Sequence, residues 1–439
     1  MRIAVVGAGY VGLVSGACFA EFGVEVALVD TDAAKVAALG EGRMPIYEPG
    51  LDKLVADNAR EGRLSFTTDL SAAVAGADAV FLAVGTPTRR GDGHADLTYV
   101  FAAAEQVARA ARGPLVLVTK STVPVGTGRR IKAIVQAARP ELDIAVASNP
   151  EFLREGAAIG DFMRPDRVVV GVEDGPSGER AAEVLRRLYR PLYLIEKPVM
   201  VTALETAEII KYAANAFLAM KISFINEVAD LCEKAGADVQ EVARGIGLDG
   251  RIGRKFLHAG PGYGGSCFPK DTLAFARTGQ ELGAPLRLVE TTIAVNDARK
   301  EAMAQRVVDA CGGSLAGKTV AVLGLTFKPE TDDMRDAPSL AILPLLAQAG
   351  ATLRAFDPEG MPFARQMLPE GIHYARNALD AAQGADALVL LTEWNEFRAL
   401  APARLAEAMA GRVVVDLRNV WEPAAMREAG FAYHSVGRA

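Results

Sequence analysis

Cysteine and histidine are both scarce in this chain of 439 residues, which has four of each. The cysteines, Cys18, Cys232, Cys267 and Cys311, show no C-x-x-C spacing and are too few for a disulfide framework. Free thiols are typical of a reducing compartment, so we expect a cytoplasmic protein. The histidines have no metal-ligand spacing, so no metal site is expected.

Excess positive charge and long apolar runs are also lacking. The net charge is −6, whereas a nucleic-acid-binding protein needs a basic face, so no nucleic-acid partner is expected. No stretch approaches the roughly 20 uninterrupted apolar residues of a membrane helix, so no membrane contact is expected. The chain opens with a strand-like run, and we therefore expect no signal peptide.

Short apolar runs and amphipathic stretches alternate in the first 200 residues and again from Lys318 onward. The strand-like runs are 3–6, 24–29, 79–84, 115–119, 144–147, 168–172, 319–323, 352–356, 387–391 and 413–417. The helix-like segments between them include 11–22, 99–111, 128–138, 338–349 and 401–410. Alternation of this kind predicts doubly wound parallel sheets.

The middle of the chain has a different composition and pattern. Residues 199–235 contain no glycine or proline, Thr202 and Glu205 match a capping box, and Gly236 follows as a stop signal. We predict one helix of roughly 33 residues here, with more helix to about residue 310. The predicted fold is α/β, with two Rossmann-like doubly wound domains joined by a long central helix and a helical middle region. The expected divisions are 1–200, 201–310 and 311–439.

A glycine-rich turn follows the first strand-like run. Gly7, Gly9 and Gly12 form a G-x-G-x-x-G pattern that opens a helix, and the second strand-like run is followed by Asp30. This context favours dinucleotide binding, with the pyrophosphate at the helix N-terminus and Asp30 on the ribose hydroxyls, which favours NAD over NADP. The alternative is a turn without a ligand and Asp30 as a helix cap.

Polar loops follow three further strand-like runs, at 85–87, 120–124 and 149–152. Ligands of such sheets bind beyond the carboxyl ends of the strands. Any one of these loops could be only a turn, but three on one edge predict a lined crevice.

The segment 260–271 places Cys267 after a glycine-rich loop and just before Lys270 and Asp271. A nearby cation or a helix N-terminus favours a thiolate nucleophile. The alternative is a small buried apolar residue, which is our interpretation of the other three cysteines.

Two polar residues interrupt the apolar stripe of the central helix. Lys211 and Asn215 lie one turn apart, so both could donate hydrogen bonds to a developing oxyanion. The other interpretation, which the residue type alone favours, is a lysine that reaches out to solvent.

Together these segments resemble the UDP-glucose/GDP-mannose dehydrogenase family over nearly the whole chain. The similar segments are 3–17, 85–87, 121–124, 149–156, 208–227, 251–271 and 324–335. The most specific are 264–267 and 331–335.

The resemblance implies an NAD-dependent, four-electron oxidation of UDP-glucose to UDP-glucuronate, through a thiohemiacetal and a thioester on Cys267. It implies a catalytic group made up of Cys267, Lys211, Asn215, Asp271, Thr122, Glu151 and Glu155. It implies cofactor contacts from Gly7, Gly9, Val11, Gly12, Asp30, Lys35, Thr86, Thr122, Glu155, Lys270 and Arg335. The implied substrate contacts are Glu151, Phe152, Leu153, Glu155, Lys211, Asn215, Arg251, Phe256, Leu257, His258, Gly260, Gly264 and Lys328.

Two of these positions carry further implications. Arg251 is expected to reach the substrate of a neighbouring subunit, which implies a homodimer or a higher homo-oligomer. His258 stands where the family commonly has a lysine.

Three alternatives remain open. The first is the same chemistry on another nucleotide sugar, such as GDP-mannose. The second is a two-electron sugar or hydroxy-acid dehydrogenase, which would form one NADH per product. The third is an NAD-binding sensor without turnover.

Overall fold

The computed structural model describes residues 1–89 and 93–438. Two compact units are present, one of residues 1–214 with 277–284 and one of residues 215–276 with 285–439. The three-part division expected from the sequence stays a prediction. Within the described residues, no helix is both long and apolar enough to cross a membrane.

The first unit is built on an eight-stranded sheet. Its strands are Arg2–Val6 (β1), Glu25–Val29 (β2), Leu64–Thr67 (β3), Ala79–Leu82 (β4), Leu115–Thr119 (β5), Ile144–Ser148 (β6), Val168–Val172 (β7) and Val199–Ala203 (β8). The strand order is β3-β2-β1-β4-β5-β6-β7-β8. All neighbours are parallel except β6 and β7, which pair antiparallel. The predicted doubly wound sheet is thus confirmed, with one reversed pair.

Helices connect these strands. They are Tyr10–Glu21 (α1), Ala33–Gly40 (α2), Leu51–Arg60 (α3), Leu70–Val74 (α4), Thr98–Ala110 (α5), Thr127–Ala138 (α6), Ala158–Met163 (α7) and Pro176–Leu188 (α8), with a 3₁₀ turn at Arg190–Ile195. Alternate strand residues bury on opposite faces: Ile3 and Val5 join one apolar cluster and Ala4 the other. Both faces are therefore covered, as near-continuous apolar strands require.

Four helices follow, namely Leu204–Ala235 (α9), Val239–Gly247 (α10), Phe268–Glu281 (α11) and Arg287–Ala310 (α12). The predicted long helix is confirmed as α9, with 32 residues. The first five residues of the glycine-free stretch are instead β8, which pairs with β7. Glu205, expected in a capping box, pairs with Arg129 at 2.7 Å.

The second unit contains a six-stranded parallel sheet. Its strands are Thr319–Leu323 (β9), Thr352–Phe356 (β10), His373–Tyr374 (β11), Ala387–Leu390 (β12), Val413–Asp416 (β13) and Ala432–Ser435 (β14), ordered β11-β10-β9-β12-β13-β14. Its other helices are Pro338–Gln348 (α13), Met361–Met367 (α14), Ala378–Ala382 (α15), Asn395–Arg398 (α16), Pro402–Ala408 (α17) and Pro423–Glu428 (α18). The second Rossmann-like sheet is therefore confirmed.

Candidate active site

The glycine loop after β1 is as tight as its sequence predicts. Gly7 has a φ of +105°, and a Cβ there would lie 2.6 Å from the carbonyl oxygen of Ala83. A Cβ on Gly12 would lie 1.8 Å from the carbonyl oxygen of Gly7. Backbone approaches this close require glycine. The loop leads directly into α1, which begins at Tyr10, and the first turn of a helix is a favourable place for a pyrophosphate.

Asp30 sits beside this loop, at the end of β2. Its carboxylate accepts the N–H of Ala8 at 2.8 Å and the ammonium of Lys35 at 3.1 Å. Burial favours a higher pKa for Asp30, but the N–H groups of Asp32 and Ala8, with Lys35, outweigh it and hold the pKa below its usual value. The alternative of Asp30 as a helix cap is wrong, because Asp32 caps α2. A charged carboxylate here suits ribose hydroxyls and repels a 2′-phosphate.

Lys211 is buried on α9 rather than directed to solvent. It is only 2% exposed, and its ammonium lies 3.0 Å from Oε1 of Glu151, in the loop after β6. The sequence-based preference for a solvent-reaching lysine is therefore wrong. A buried carboxylate compensates the charge, which removes the need to reach water.

The Glu151 carboxylate is held on its other side by the chain itself. Its Oε2 accepts the N–H of Leu153 at 2.6 Å. Burial favours a higher pKa for Glu151, but Lys211 and the Leu153 N–H outweigh it and hold the pKa below its usual range. The centroid of the Phe152 ring lies 5.5 Å from the Lys211 nitrogen. A charged pair in an apolar setting is a common feature of active sites.

Cys267 stands at the start of α11 in the second unit. Its carbonyl oxygen accepts the N–H of Asp271 at 2.8 Å, which is the first hydrogen bond of this helix. Its sulfur lies 3.5 Å from the hydroxyl of Ser266 and is part-buried. The N-terminal end of a helix favours negative charge, as a reacting thiolate requires. Cys18 and Cys232 are buried within helices, as expected.

Asp271 is fully buried and receives two hydrogen bonds. Asn215 of α9 donates from Nδ2 to Oδ2 at 2.7 Å, and Lys270 donates to Oδ1 at 2.6 Å. Asp271 thus contacts the other three residues. It accepts hydrogen bonds from Asn215 and Lys270, and its N–H donates to the carbonyl oxygen of Cys267. The resemblance implies Cys267, Asn215 and Asp271 as catalytic residues and Lys270 as a cofactor contact, and the second unit holds these four residues next to one another.

The two most specific segments of the sequence meet beside Cys267. A Cβ on Gly265 would lie 2.7 Å from the ring of Phe327, and the Gly265 N–H donates to the carbonyl oxygen of Arg335 at 2.8 Å. The carboxylate of Asp333 accepts the N–H of Ser266 at 3.2 Å and the guanidinium of Arg335 at 2.8 Å. The cysteine loop therefore depends on segment 327–335 for its shape.

The remaining predicted residues divide by unit. In the first unit Thr86 and Glu155 are buried, whereas Val11, Thr122, Phe152 and Leu153 are half-buried. In the second unit Leu257, Gly260 and Gly264 are buried, Phe256 and Lys328 are half-buried, and His258 is exposed. The Arg251 side chain is also exposed and pairs with Asp249 at 2.6 Å.

Two buried carboxylates were missed by the sequence reasoning. Glu208 is one turn before Lys211 on α9, and its carboxylate accepts the N–H groups of Gly126 and Gly128, both at 2.7 Å. Burial raises the pKa of Glu208 to about 7, against the effect of those N–H groups. Glu48 accepts the N–H of Gly156 at 2.6 Å and also the hydroxyl of Tyr10. For Glu208, the sequence offered one indication, which is its position one turn before Lys211 on the same helix face.

The fold and these two groups of side chains define an α/β dehydrogenase with a dinucleotide loop and a candidate thiol nucleophile. Models of the UDP-glucose/GDP-mannose dehydrogenase family match three parts of the chain. The NAD binding domain matches residues 1–193, the central domain 205–298 and the UDP binding domain 321–423. The chain belongs to this family, and NAD is its cofactor.

Known proteins are similar over the full length. A UDP-glucose 6-dehydrogenase of Rhizobium meliloti (strain 1021) is 61% identical, with 100% of both chains covered. A UDP-glucose 6-dehydrogenase of Bacillus subtilis (strain 168) is 47% identical over 100% of this chain and 93% of the relative. The solved structure of a UDP-glucose dehydrogenase from Pyrobaculum islandicum is 40% identical, with a TM-score of 0.91, covering 100% of this chain and 98% of that one.

Proposed function

We propose that this protein oxidises UDP-glucose to UDP-glucuronate, with two NAD molecules reduced per sugar. The observation that carries the proposal is Cys267 at the N-terminus of α11, with buried Asp271 in the first turn of that helix. A simple alcohol dehydrogenase needs no thiol, whereas oxidation of an aldehyde to an acid needs a tetrahedral adduct that a thiolate can form. Full-length similarity to UDP-glucose 6-dehydrogenases supports the substrate.

The residues of the glycine loop suit the cofactor by their geometry. We assign Gly7, Gly9, Val11 and Gly12 to the pyrophosphate, Asp30 to the ribose hydroxyls, and Lys35, Thr86, Thr122, Glu155, Lys270 and Arg335 to further cofactor contacts. Held by these residues, NAD would supply the hydride acceptor for each of the two oxidations.

Cys267 acts between the two oxidations. Its sulfur adds to the C6 aldehyde and forms a thiohemiacetal, and the second oxidation converts this adduct to a thioester. Water then attacks the thioester carbon, the C–S bond breaks, and the carboxylate and the free thiol are released. Overall, one alcohol, one water and two NAD+ yield one carboxylate, two NADH and three protons.

Lys211 and Asn215 stabilise negative charge on the C6 oxygen. The Lys211 ammonium carries three N–H donors and the Asn215 amide carries two. One of them contacts Glu151 from Lys211, and one contacts Asp271 from Asn215. Each donor of this type is worth roughly 3 kcal/mol in a transition state. Asp271 orients the water, and Thr122, Glu151 and Glu155 complete the catalytic group.

The other predicted positions are proposed to hold the nucleotide sugar. They are Phe152, Leu153, Phe256, Leu257, His258, Gly260, Gly264 and Lys328, with Arg251 reaching the substrate of a second subunit. The exposed Arg251 side chain supports this last role. We therefore propose a homodimer or a higher homo-oligomer. The four free cysteines support a cytoplasmic location.

The test is a count of NADH per sugar. Purified protein is incubated with NAD and either UDP-glucose or GDP-mannose, and NADH absorbance is compared with the product measured by chromatography. We expect two NADH per UDP-glucuronate and a much lower rate with GDP-mannose. One NADH per product would contradict the four-electron reaction, and faster turnover of GDP-mannose would contradict the substrate.

A further inference from the structure

A second lysine is buried close to the Lys211–Glu151 pair. Lys120 follows β5, is 3% exposed, and its ammonium lies 3.1 Å from Oδ1 of Asn149 and 3.2 Å from the hydroxyl of Tyr189. Neither of these two partners carries a negative charge. Lys120 is therefore a buried cation with neutral hydrogen-bond partners. Burying a cation in this way costs free energy, so we expect Lys120 to have a role that offsets the cost.

The Lys120 partners also fix the chain segment that leads to Glu151. Asn149 accepts the Tyr189 hydroxyl at 2.6 Å and donates to the carbonyl oxygen of Val169 at 2.8 Å. Its own N–H donates to the carbonyl oxygen of Thr119 at 2.9 Å. Asn149 thus uses its backbone N–H, its amide nitrogen and its amide oxygen in hydrogen bonds, two residues before Glu151.

A cavity in the first unit connects these groups. Its walls include Lys120, Asn149, Glu151, Phe152, Arg167 and Tyr189. The Arg167 guanidinium stacks on the Phe152 ring, with 3.6 Å to the centroid. Lys120 and Glu151 therefore line the same cavity.

We propose that Lys120 is a positioning residue: it anchors the Asn149–Glu151 segment, and its charge controls the ionisation of the Lys211–Glu151 pair. Lys120 and Lys211 are like charges that both interact with the Glu151 carboxylate, so each ammonium loses its proton more readily than it would without the other. The inference rests on the proposed function, since it assigns Lys211 and Glu151 to the reaction.

The charged neighbours of Lys120 agree with this arrangement. Burial lowers the pKa of Lys120 to about 8; Glu151 and Cys18 oppose the change, and Lys211 adds to it. The Tyr189 hydroxyl is the remaining titratable contact, and burial raises its pKa well above its usual value. The cluster therefore changes charge near pH 8, where neither an isolated lysine nor an isolated carboxylate does.

The Arg167 guanidinium and the Asp161 carboxylate also line the cavity. Asp161 is paired with Arg154 at 2.6 Å. The pH-dependent change is therefore assigned to Lys120, Lys211 and Glu151.

The experiment compares kcat/KM for UDP-glucose between pH 6.5 and 10 in the wild type and in Lys120→Met. Removal of the like charge lets Lys211 hold its proton more strongly, so we expect the alkaline inflection to move by at least half a pH unit. Lys53→Met is the matched control, because the Lys53 side chain is 81% exposed. Superimposable profiles that differ only in height would overturn the proposal.

Tyr189→Phe keeps the test usable if Lys120→Met does not fold. It removes one acceptor from the Lys120 ammonium, and we expect a smaller shift of the same inflection. An inflection at the wild-type pH in this variant would overturn the proposal.

A measurement without turnover separates this inference from the proposed function. Between about pH 8 and 10 the unfolded chain binds the Lys120 proton and the folded chain does not, so stability should rise with pH. We expect the urea midpoint of the wild type to rise, relative to that of Lys120→Met, as the pH is raised over this range. If the wild type does not oxidise UDP-glucose but this gain is observed, the proposed function fails and the role of Lys120 in the cluster stands. An unchanged difference between the two proteins would overturn it.

Discussion

Asn215 donates a hydrogen bond to the buried carboxylate of Asp271 across 2.7 Å. The contact joins the long helix α9 to the first turn of α11, which begins one residue after Cys267. Asn215 is an uncharged donor, so the charged partner of the Asp271 carboxylate at this place is the Lys270 ammonium. The identity of residue 215 therefore affects the charge next to Asp271.

Asn215→Asp places a second carboxylate against Asp271. Two carboxylates in contact cannot both be charged without a large cost, so one takes up a proton and its pKa rises. We expect kcat to fall by roughly 100-fold at neutral pH, as for loss of an oxyanion donor. The variant should recover activity as the pH is lowered. The measurement is a pH–rate profile beside that of Asn215→Ser, and equal pH dependence of the two variants would contradict the prediction.

Cys267→Ser should bind UDP-glucose but release almost no UDP-glucuronate. A serine hydroxyl is far less nucleophilic than a thiolate, so we expect product formation to fall by a factor of roughly 100 or more. The measurement combines calorimetric binding with a product assay. Cys311→Ser is the control, since Cys311 caps the C-terminal end of α12 and is not among the residues proposed for the site. Wild-type product formation by Cys267→Ser would exclude the nucleophile role.

Glu151→Gln should destabilise the protein as well as inactivate it. It leaves the Lys211 charge buried without its partner, and breaking one side of a buried pair costs about 3–5 kcal/mol. The measurement is urea unfolding of Glu151→Gln, Lys211→Met and the double variant. We expect the double variant to lose less stability than the sum of the two single variants. Additive losses would show that the pair is not coupled.

Asp30→Asn should weaken NAD binding with little change in kcat. The amide oxygen can still accept the Ala8 N–H, but the negative charge that suits the ribose hydroxyls is lost. One such charged hydrogen bond is worth about 1.5 kcal/mol, so KM for NAD should rise roughly tenfold. Asp32→Asn, at the cap of α2, provides the control. A lower kcat at an unchanged KM would place Asp30 in another role.

Local patterns predicted most of the strands and the main site motifs. Apolar runs at 115–119, 168–172, 319–323 and 352–356 match β5, β7, β9 and β10 residue for residue. The glycine loop at 7–12 and the loop at 260–267 before Cys267 were also recognisable, because close backbone approaches require glycine, which the sequence shows directly. β8 was missed, since its five residues continue without a break into α9 and only pairing with β7 makes them a strand.

Contacts between distant residues decided what composition left open. A lysine on an apolar stripe has the same sequence pattern whether it reaches solvent or is buried. Lys211 is buried because Glu151, 60 positions earlier, lies 3.0 Å away. Lys120 gave no signal beyond its place in a strand-end loop. The sequence by itself determined the fold class, the dinucleotide loop and the candidate nucleophile, because these depend on short-range backbone geometry. Only the tertiary structure decided which charges are buried together, since the free energy of a buried charge depends on partners far away in the chain.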